Sequence, residues 1–189
     1  MCIRDSLRDG GADAKRWAAR ALRNLACGNN ANKVLIVEAG GVPLLVDLLR
    51  DGSEDAKMFA AWALRNLAHN DASEVAIAEA GGIAPLVELL RGASAEGKLE
   101  AAAALGTLAH YAASKVLIAE AGGIPPLVQL VRDGSADAKL EAAWALRNLA
   151  IDNGDNQVLI AGAGGIAPLV ELLRDGSAEA KEQAAWALR

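Results

Sequence analysis

The chain is predicted to be all-α, a right-handed solenoid of stacked three-helix units. Two observations point there. The phrase AAWALRNLA stands at 60–68 and again at 142–150, with AARALRNLA at 18–26, AAAALGTLA at 101–109 and a truncated AAWALR at 184–189. A second phrase, built on a double glycine, keeps the same frame through Gly41, Gly82, Gly123 and Gly165, at spacings of 41, 41 and 42 residues. A period in that range is the signature of helical units that cannot bury their apolar faces alone and stack to do so. The composition agrees: 53% of the 189 residues are hydrophobic but only 3% are aromatic. That apolar mass is Ala, Leu, Val and Ile, which suits closely packed helices rather than sheets.

Within the unit at 32–72, Asn32 is expected to cap a short first helix over 33–39, with Ser73, Ser114 and Asn156 in the same slot. Gly40 and Gly41 then break the chain direction, because glycine tolerates the left-handed corner. Pro43 opens a second helix, where its missing N–H costs nothing, and this helix runs to about Arg50. Asp51 and Gly52 turn the chain. Ser53 caps a third helix whose first turn carries Glu54 and Asp55, favourable to the helix dipole. That helix extends to about Ala68, and Ala60, Ala61, Leu64, Leu67 and Ala68 form its buried face.

Three helices, a double-glycine corner and about 41–42 residues per unit resemble the armadillo repeat. The resemblance runs from Leu7 to Arg189: a partial unit at 7–31, complete units at 32–72, 73–113 and 114–155, and a partial unit at 156–189. Residues 1–6, MCIRDS, match the repeat poorly and read as a non-native leader. The chain then reads as part of a longer solenoid, open at both ends and expected to associate end to end.

The face that could carry function lies on the third helices. Trp62, Arg65, Asn66 and His69 fall at i, i+3, i+4 and i+7, opposite the Leu64 stripe. Trp144, Arg147 and Asn148 repeat the pattern, Trp186 begins it again, and Arg20, Arg23 and Asn24 hold it in the leading unit. The unit between departs, with Ala103, Gly106 and Thr107. Large aromatics away from the core are favoured binding anchors. An Asn beside them can both donate to and accept from the backbone of an extended peptide. In importin-alpha and beta-catenin the third helices line a concave groove with an Asn ladder, and in importin-alpha Trp residues wall its pockets. The resemblance therefore implies ladder roles for Asn24, Asn66 and Asn148 and pocket-wall roles for Trp62 and Trp144. A packing role remains the other reading: Trp62 against the next unit and Asn66 bonded to a neighbouring helix.

Glu100, Glu141 and Glu182 lie near one edge of this face, and Arg23, Arg65 and Arg147 run beside the Asn series. The arginines predict a positive strip and a slight preference for acidic over basic peptides. The sequence thus reads as a non-enzymatic scaffold that binds an extended segment of a protein partner, cytoplasmic or nuclear. The alternatives are the substrate-recruiting arm of a larger enzyme such as a ubiquitin ligase, a nuclear import adaptor for basic signals, and a tethering scaffold. Net charge is −5 with no basic stripe carrying stacking aromatics, which argues against nucleic acid. No apolar run reaches membrane-spanning length. Neither Cys2 and Cys27 nor His69 and His110 show metal-ligand spacing or a catalytic partner, so no cofactor or metal is expected. The recurring Lys15, Lys57, Lys98, Lys139 and Lys181 read as a solvated row.

Overall fold

Ala60, Ala61, Ala63, Leu64 and Leu67 of one third helix have no exposed surface, and Ala142, Ala143, Ala145, Leu146 and Leu149 repeat that pattern two units on. A side chain no larger than a methyl lets adjacent helices close up, and the leucines fill the space between layers. The computed structural model that shows this describes residues 3–8 and 10–189, and those residues carry fourteen helices. First helices are α3 (Asn30–Glu38), α6 (Asp71–Glu79), α9 (Ala112–Glu120) and α12 (Gly154–Gly162). Second helices are α1 (Ile3–Arg8), α4 (Gly41–Asp51), α7 (Ile83–Gly92), α10 (Ile124–Asp133) and α13 (Ile166–Asp175). Third helices are α2 (Ala12–Ala26), α5 (Glu54–Leu67), α8 (Ala95–Leu108), α11 (Ala136–Ala150) and α14 (Ala178–Ala187). Each third helix packs on the next, and each second helix packs on the third helix of its own unit.

The first two residues of the MCIRDS stretch lie outside the described residues. The rest of it enters α1, which takes the second-helix place of the leading unit against α2 and α4, with Leu7 buried.

The corner between first and second helices is a pair of unlike glycines. Gly81 sits at φ +70°, where an L side chain is strained, and its N–H bonds the Ala78 carbonyl at 2.9 Å. The Gly82 N–H bonds the Ile77 carbonyl at 2.9 Å, completing a Schellman cap. A Cβ on Gly82 would lie 2.9 Å from Ile77 Cγ2, so the helices meet too closely for any other residue. The last-turn arginines of α4 and α7 then reach the following corner. Arg50 Nη2 donates to the Ala80 carbonyl at 3.5 Å, and Arg91 Nη2 to the Ala121 and Gly122 carbonyls at 3.3 and 3.1 Å.

Capping of the third helices follows the sequence: Ser53, Ser94, Ser135 and Ser177 each accept a backbone N–H through the side chain, worth about 1 kcal/mol apiece. The first helices differ from expectation. Their caps lie three residues upstream, at Asn29, Asn70 and Asn153, whose side chains accept from the N–H groups of Asn32, Ser73 and Asn156. Asn32 is free to turn its amide backward, and Nδ2 donates to the Leu25 carbonyl at 2.9 Å; Asn156 does the same to Leu149 at 3.0 Å. The two asparagines among the expected caps are thus ties to the end of the preceding third helix, while the Ser73 hydroxyl donates to Asn70 and α9, where Ser114 is the expected cap, has no side-chain cap.

One position after those residues, Lys33, Glu74, Lys115 and Gln157 share a slot. Lys115 Nζ donates to the Ile151 carbonyl, at the end of the third helix of its own unit, at 2.5 Å. Glu74, 3% exposed, places a carboxyl where its counterparts place donors, and its Oε1 is buried without a hydrogen-bond partner. Burial, reinforced by Asp71, pushes its pKa up to about 8.

Two predictions follow from this packing. Glu74 is protonated more readily folded than unfolded, so its contribution is fully present below about 4.5 and is lost as pH rises through about 8. The stability of the wild-type chain should therefore fall across that window, with a slope approaching 1.4 kcal/mol per pH unit. Glu74→Gln should flatten the curve and raise the melting temperature at pH 8; an unchanged slope in urea titrations at stepped pH would show that Glu74 is not the titrating group.

The second concerns Gly106, inside α8, where glycine costs about 1 kcal/mol of helix propensity relative to alanine. A Cβ there would lie 2.6 Å from Trp144 Cε3 and 3.3 Å from Ala145 Cα. Gly106→Ala is expected to destabilise the chain by about 1–2 kcal/mol, because overpacking outweighs the propensity gain. A stabilised variant in chemical denaturation would contradict that close approach.

Candidate functional site

Five third helices in series carry one row of side chains on the face turned away from the second helices. Four slots recur along it. The first holds Trp17, Phe59, Glu100, Glu141 and Gln183; the second Arg20, Trp62, Ala103, Trp144 and Trp186. The third holds Arg23, Arg65, Gly106, Arg147 and Arg189; the fourth Asn24, Asn66, Thr107 and Asn148. The aromatics Trp17 and Phe59 escape a search keyed to AAWALRNLA, since they stand one residue before the phrase. Aligning that residue across units would have found them. It also shows that Gln183, not the exposed Glu182, continues the Glu100 and Glu141 series.

Rings and guanidinium groups alternate across the unit boundaries. Arg23 Cζ lies 3.3 Å from the centroid of the Trp62 ring, and Arg147 Cζ lies 5.3 Å from that of Trp186. Arg20 sits 5.1 Å from Trp17 and 5.9 Å from Phe59. Each such pair joins a cation of one unit to a ring of its own or the next unit. Trp144 faces a unit with no arginine in that slot; it lies over Gly106 and meets the His110 ring edge-on at 5.9 Å. Trp17 is 51% and Trp186 41% exposed, while Trp62 and Trp144 are half-buried. The row is therefore an aromatic surface open to solvent, and stacking between units restricts its rotamers.

The asparagines act between units. Asn66 Nδ2 donates to the Arg23 carbonyl at 3.0 Å, and Asn148 Nδ2 to the Gly106 carbonyl at 2.9 Å. Both are bonds to the neighbouring third helix. Thr107 is too short to follow, and its hydroxyl donates to Ala103 on its own helix at 3.0 Å. Asn148 is buried, Asn66 half-buried and Asn24 exposed, so Asn24 and Asn66 present amide atoms to a ligand more readily than Asn148.

The arginines do not form an even positive strip. Arg65 pairs with Glu100 at 3.4 Å and with Glu141 at 3.0 Å. Arg147 donates instead to the neutral Gln183 at 2.8 Å and keeps its net charge. Arg20 and Arg23 are engaged with aromatic rings rather than carboxylates. Burial pushes the Glu100 carboxyl up against the pull of Arg65, while burial and then Lys33, Arg65 and His110 lower the His69 pKa. The face is therefore cationic toward α2, compensated at its centre and cationic again toward α14. Among the described residues no group of three His, Cys, Asp or Glu could hold a metal ion, and no single helix is long and apolar enough to cross a membrane.

A profile described as the plant U-box protein ARM repeat region matches residues 3–188. No curated protein matches. Among solved structures, a designed armadillo repeat protein in complex with the peptide (KR)4 is 36% identical with a TM-score of 0.90, covering 98% of this chain and 78% of that one. A computationally designed armadillo repeat protein for modular peptide recognition is 34% identical with a TM-score of 0.91, covering 98% and 79%. The period, the three-helix unit, the glycine corner and the profile over nearly the whole length agree, and the chain belongs to the plant U-box protein ARM repeat family.

Proposed function

We infer that this solenoid is a non-enzymatic recognition module that binds an extended segment of a partner protein along the third-helix face. The observation that carries the reading is the row of solvent-accessible tryptophans on the third helices, Trp17, Trp62, Trp144 and Trp186, of which Trp17, Trp62 and Trp186 lie against arginine side chains. Aromatic anchors spaced by a rigid scaffold suit a ligand that is itself periodic, as an extended chain is. That solved neighbours include a designed armadillo protein with a bound peptide supports the same use. The cations that lack carboxylate pairing, Arg20, Arg23 and Arg147, favour acidic residues, most strongly at the α2 end.

Charge-swapped peptide pairs test this. Acidic members should bind better than basic ones, and their affinity should fall as salt rises. Trp62→Ala should weaken binding about tenfold or more with the helical circular dichroism retained. Equal affinity in wild type and Trp62→Ala would remove the binding site from this face.

The family profile favours a second reading, in which the module recruits substrates for a ubiquitin ligase. A gene product carrying this region together with a ligase domain should modify the segment that the solenoid binds, in a reconstituted ubiquitination reaction. Binding without modification would leave the scaffold reading alone.

Both ends of the stack also expose apolar surface: Leu25 and Leu35 at one, Ile166, Val170 and Trp186 at the other. A cavity of about 240 Å³ opens beside Leu22, Leu25, Leu35 and Leu44. The 189-residue chain is therefore expected to associate end to end as concentration rises. Sedimentation velocity across a hundredfold dilution checks this; a monomer throughout would show the ends to be adequately closed.

A further inference from the structure

Arg65 reaches two carboxylates that belong to two different units. Its Nη1 lies 3.4 Å from Glu100 Oε2 on α8, and its Nη2 lies 3.0 Å from Glu141 Oε1 on α11. The side chains are 27%, 8% and 20% exposed, so the contact is largely withdrawn from water. Arg16 also bridges two acids, Asp13 and Asp55, but those are 87% and 62% exposed and the contact is an ordinary surface one. The reach to Glu141 crosses α8, where Ala103 and Gly106 stand in place of the Trp and Arg of the other units. A guanidinium offers a planar fork that can grip one carboxylate with each nitrogen, and Arg65 uses it so. Without that cation, the buried Glu100 and the half-buried Glu141 would be two carboxylates with no cation between them.

Such a pair is a site for a guanidinium or ammonium group. The basic peptide (KR)4 occupies a designed armadillo protein that shares 36% of this sequence. We propose that Arg65 is a built-in ligand: it fills the Glu100–Glu141 cation site of the third-helix face and so turns basic segments away. The inference rests on the groove reading above and makes Arg65 the residue that sets its charge preference. With Arg65 in place the face presents Arg20, Arg23 and Arg147. With Arg65 removed it presents the two acids that Arg65 now grips, an arrangement suited to a cationic side chain.

The test uses the full chain. A labelled (KR)4 peptide should bind Arg65→Ser about tenfold or more tightly than wild type. Adding Glu100→Gln and Glu141→Gln should return the affinity to the wild-type value. N-acetyl-arginine amide, followed by the Trp144 indole resonance, reads the cation site without the rest of the groove. It should saturate Arg65→Ser and neither wild type nor the triple variant. If the amide does so while no peptide binds any variant, Arg65 is the built-in ligand and the groove reading fails. If the amide binds wild type and Arg65→Ser alike, or Arg65→Ser and the triple variant alike, the proposal is overturned. The pair Glu100→Gln/Glu141→Gln in the wild-type background supplies a second arm with isosteric changes. It releases Arg65 and should tighten binding of a (DE)4 peptide several-fold; unchanged (DE)4 affinity overturns the proposal as well.

Discussion

The close approach of third helix to third helix governs the rest of the molecule. Ala60, Ala61 and Ala63, Ala101, Ala102 and Ala104, and Ala142, Ala143 and Ala145 are fully buried, and each is a position where a larger side chain would push two units apart. Because these helices are close, an asparagine amide spans from one to the backbone of the next, and a guanidinium lies over the ring of the neighbouring unit. The same spacing places the slot of Glu100 within reach of Arg65, and that of Gln183 within reach of Arg147. A single geometric condition, set by methyl groups, thus decides which polar groups meet on the opposite face.

The second and first helices impose a weaker condition. Their repeating feature is the glycine corner, which fixes the angle between them, with an arginine from the preceding unit bonded to its carbonyls. A stack of this kind has stability that is the sum of unit and boundary contributions. The buried Glu74 is a local weakness of one unit in that sum. The Lys115 ammonium in the same slot one unit on shows what the position accommodates when the side chain donates.

Much of the fold was legible because it repeats. The period, the glycine corner, the serine caps and the Leu64 and Leu67 core all depend on short-range rules that each unit states again. The first-helix cap was not legible in the same way. Asn29 and Asn32 are both good caps in isolation, and only the approach of the Leu25 carbonyl gives Asn32 a better partner. The site was legible as a face but not as a charge. Arg65 and Arg147 occupy the same slot in near-identical phrases, yet one meets two carboxylates and the other an amide. Glu100 is 35 positions and Glu141 76 positions from Arg65, and no pattern within one helix records that they converge.

The unit that departs from the pattern explains why they converge. Read along the sequence, Ala103, Gly106 and Thr107 interrupt a series of Trp, Arg and Asn. In three dimensions the interruption is room: the missing side chain of Gly106 is the space into which Trp144 settles, and the short Ala103 leaves the surface over α8 low. Any side chain at 106 would put its Cβ 2.6 Å from Trp144 Cε3 as that ring now lies. The central compensation of charge and the cationic ends therefore have one origin. A face with five identical units would carry an even row of arginines over rings; replacing three side chains in the middle unit lets a cation of the second unit pair with an acid of the fourth. The charge pattern a ligand meets is in this way a property of the order of the units, not of any one of them.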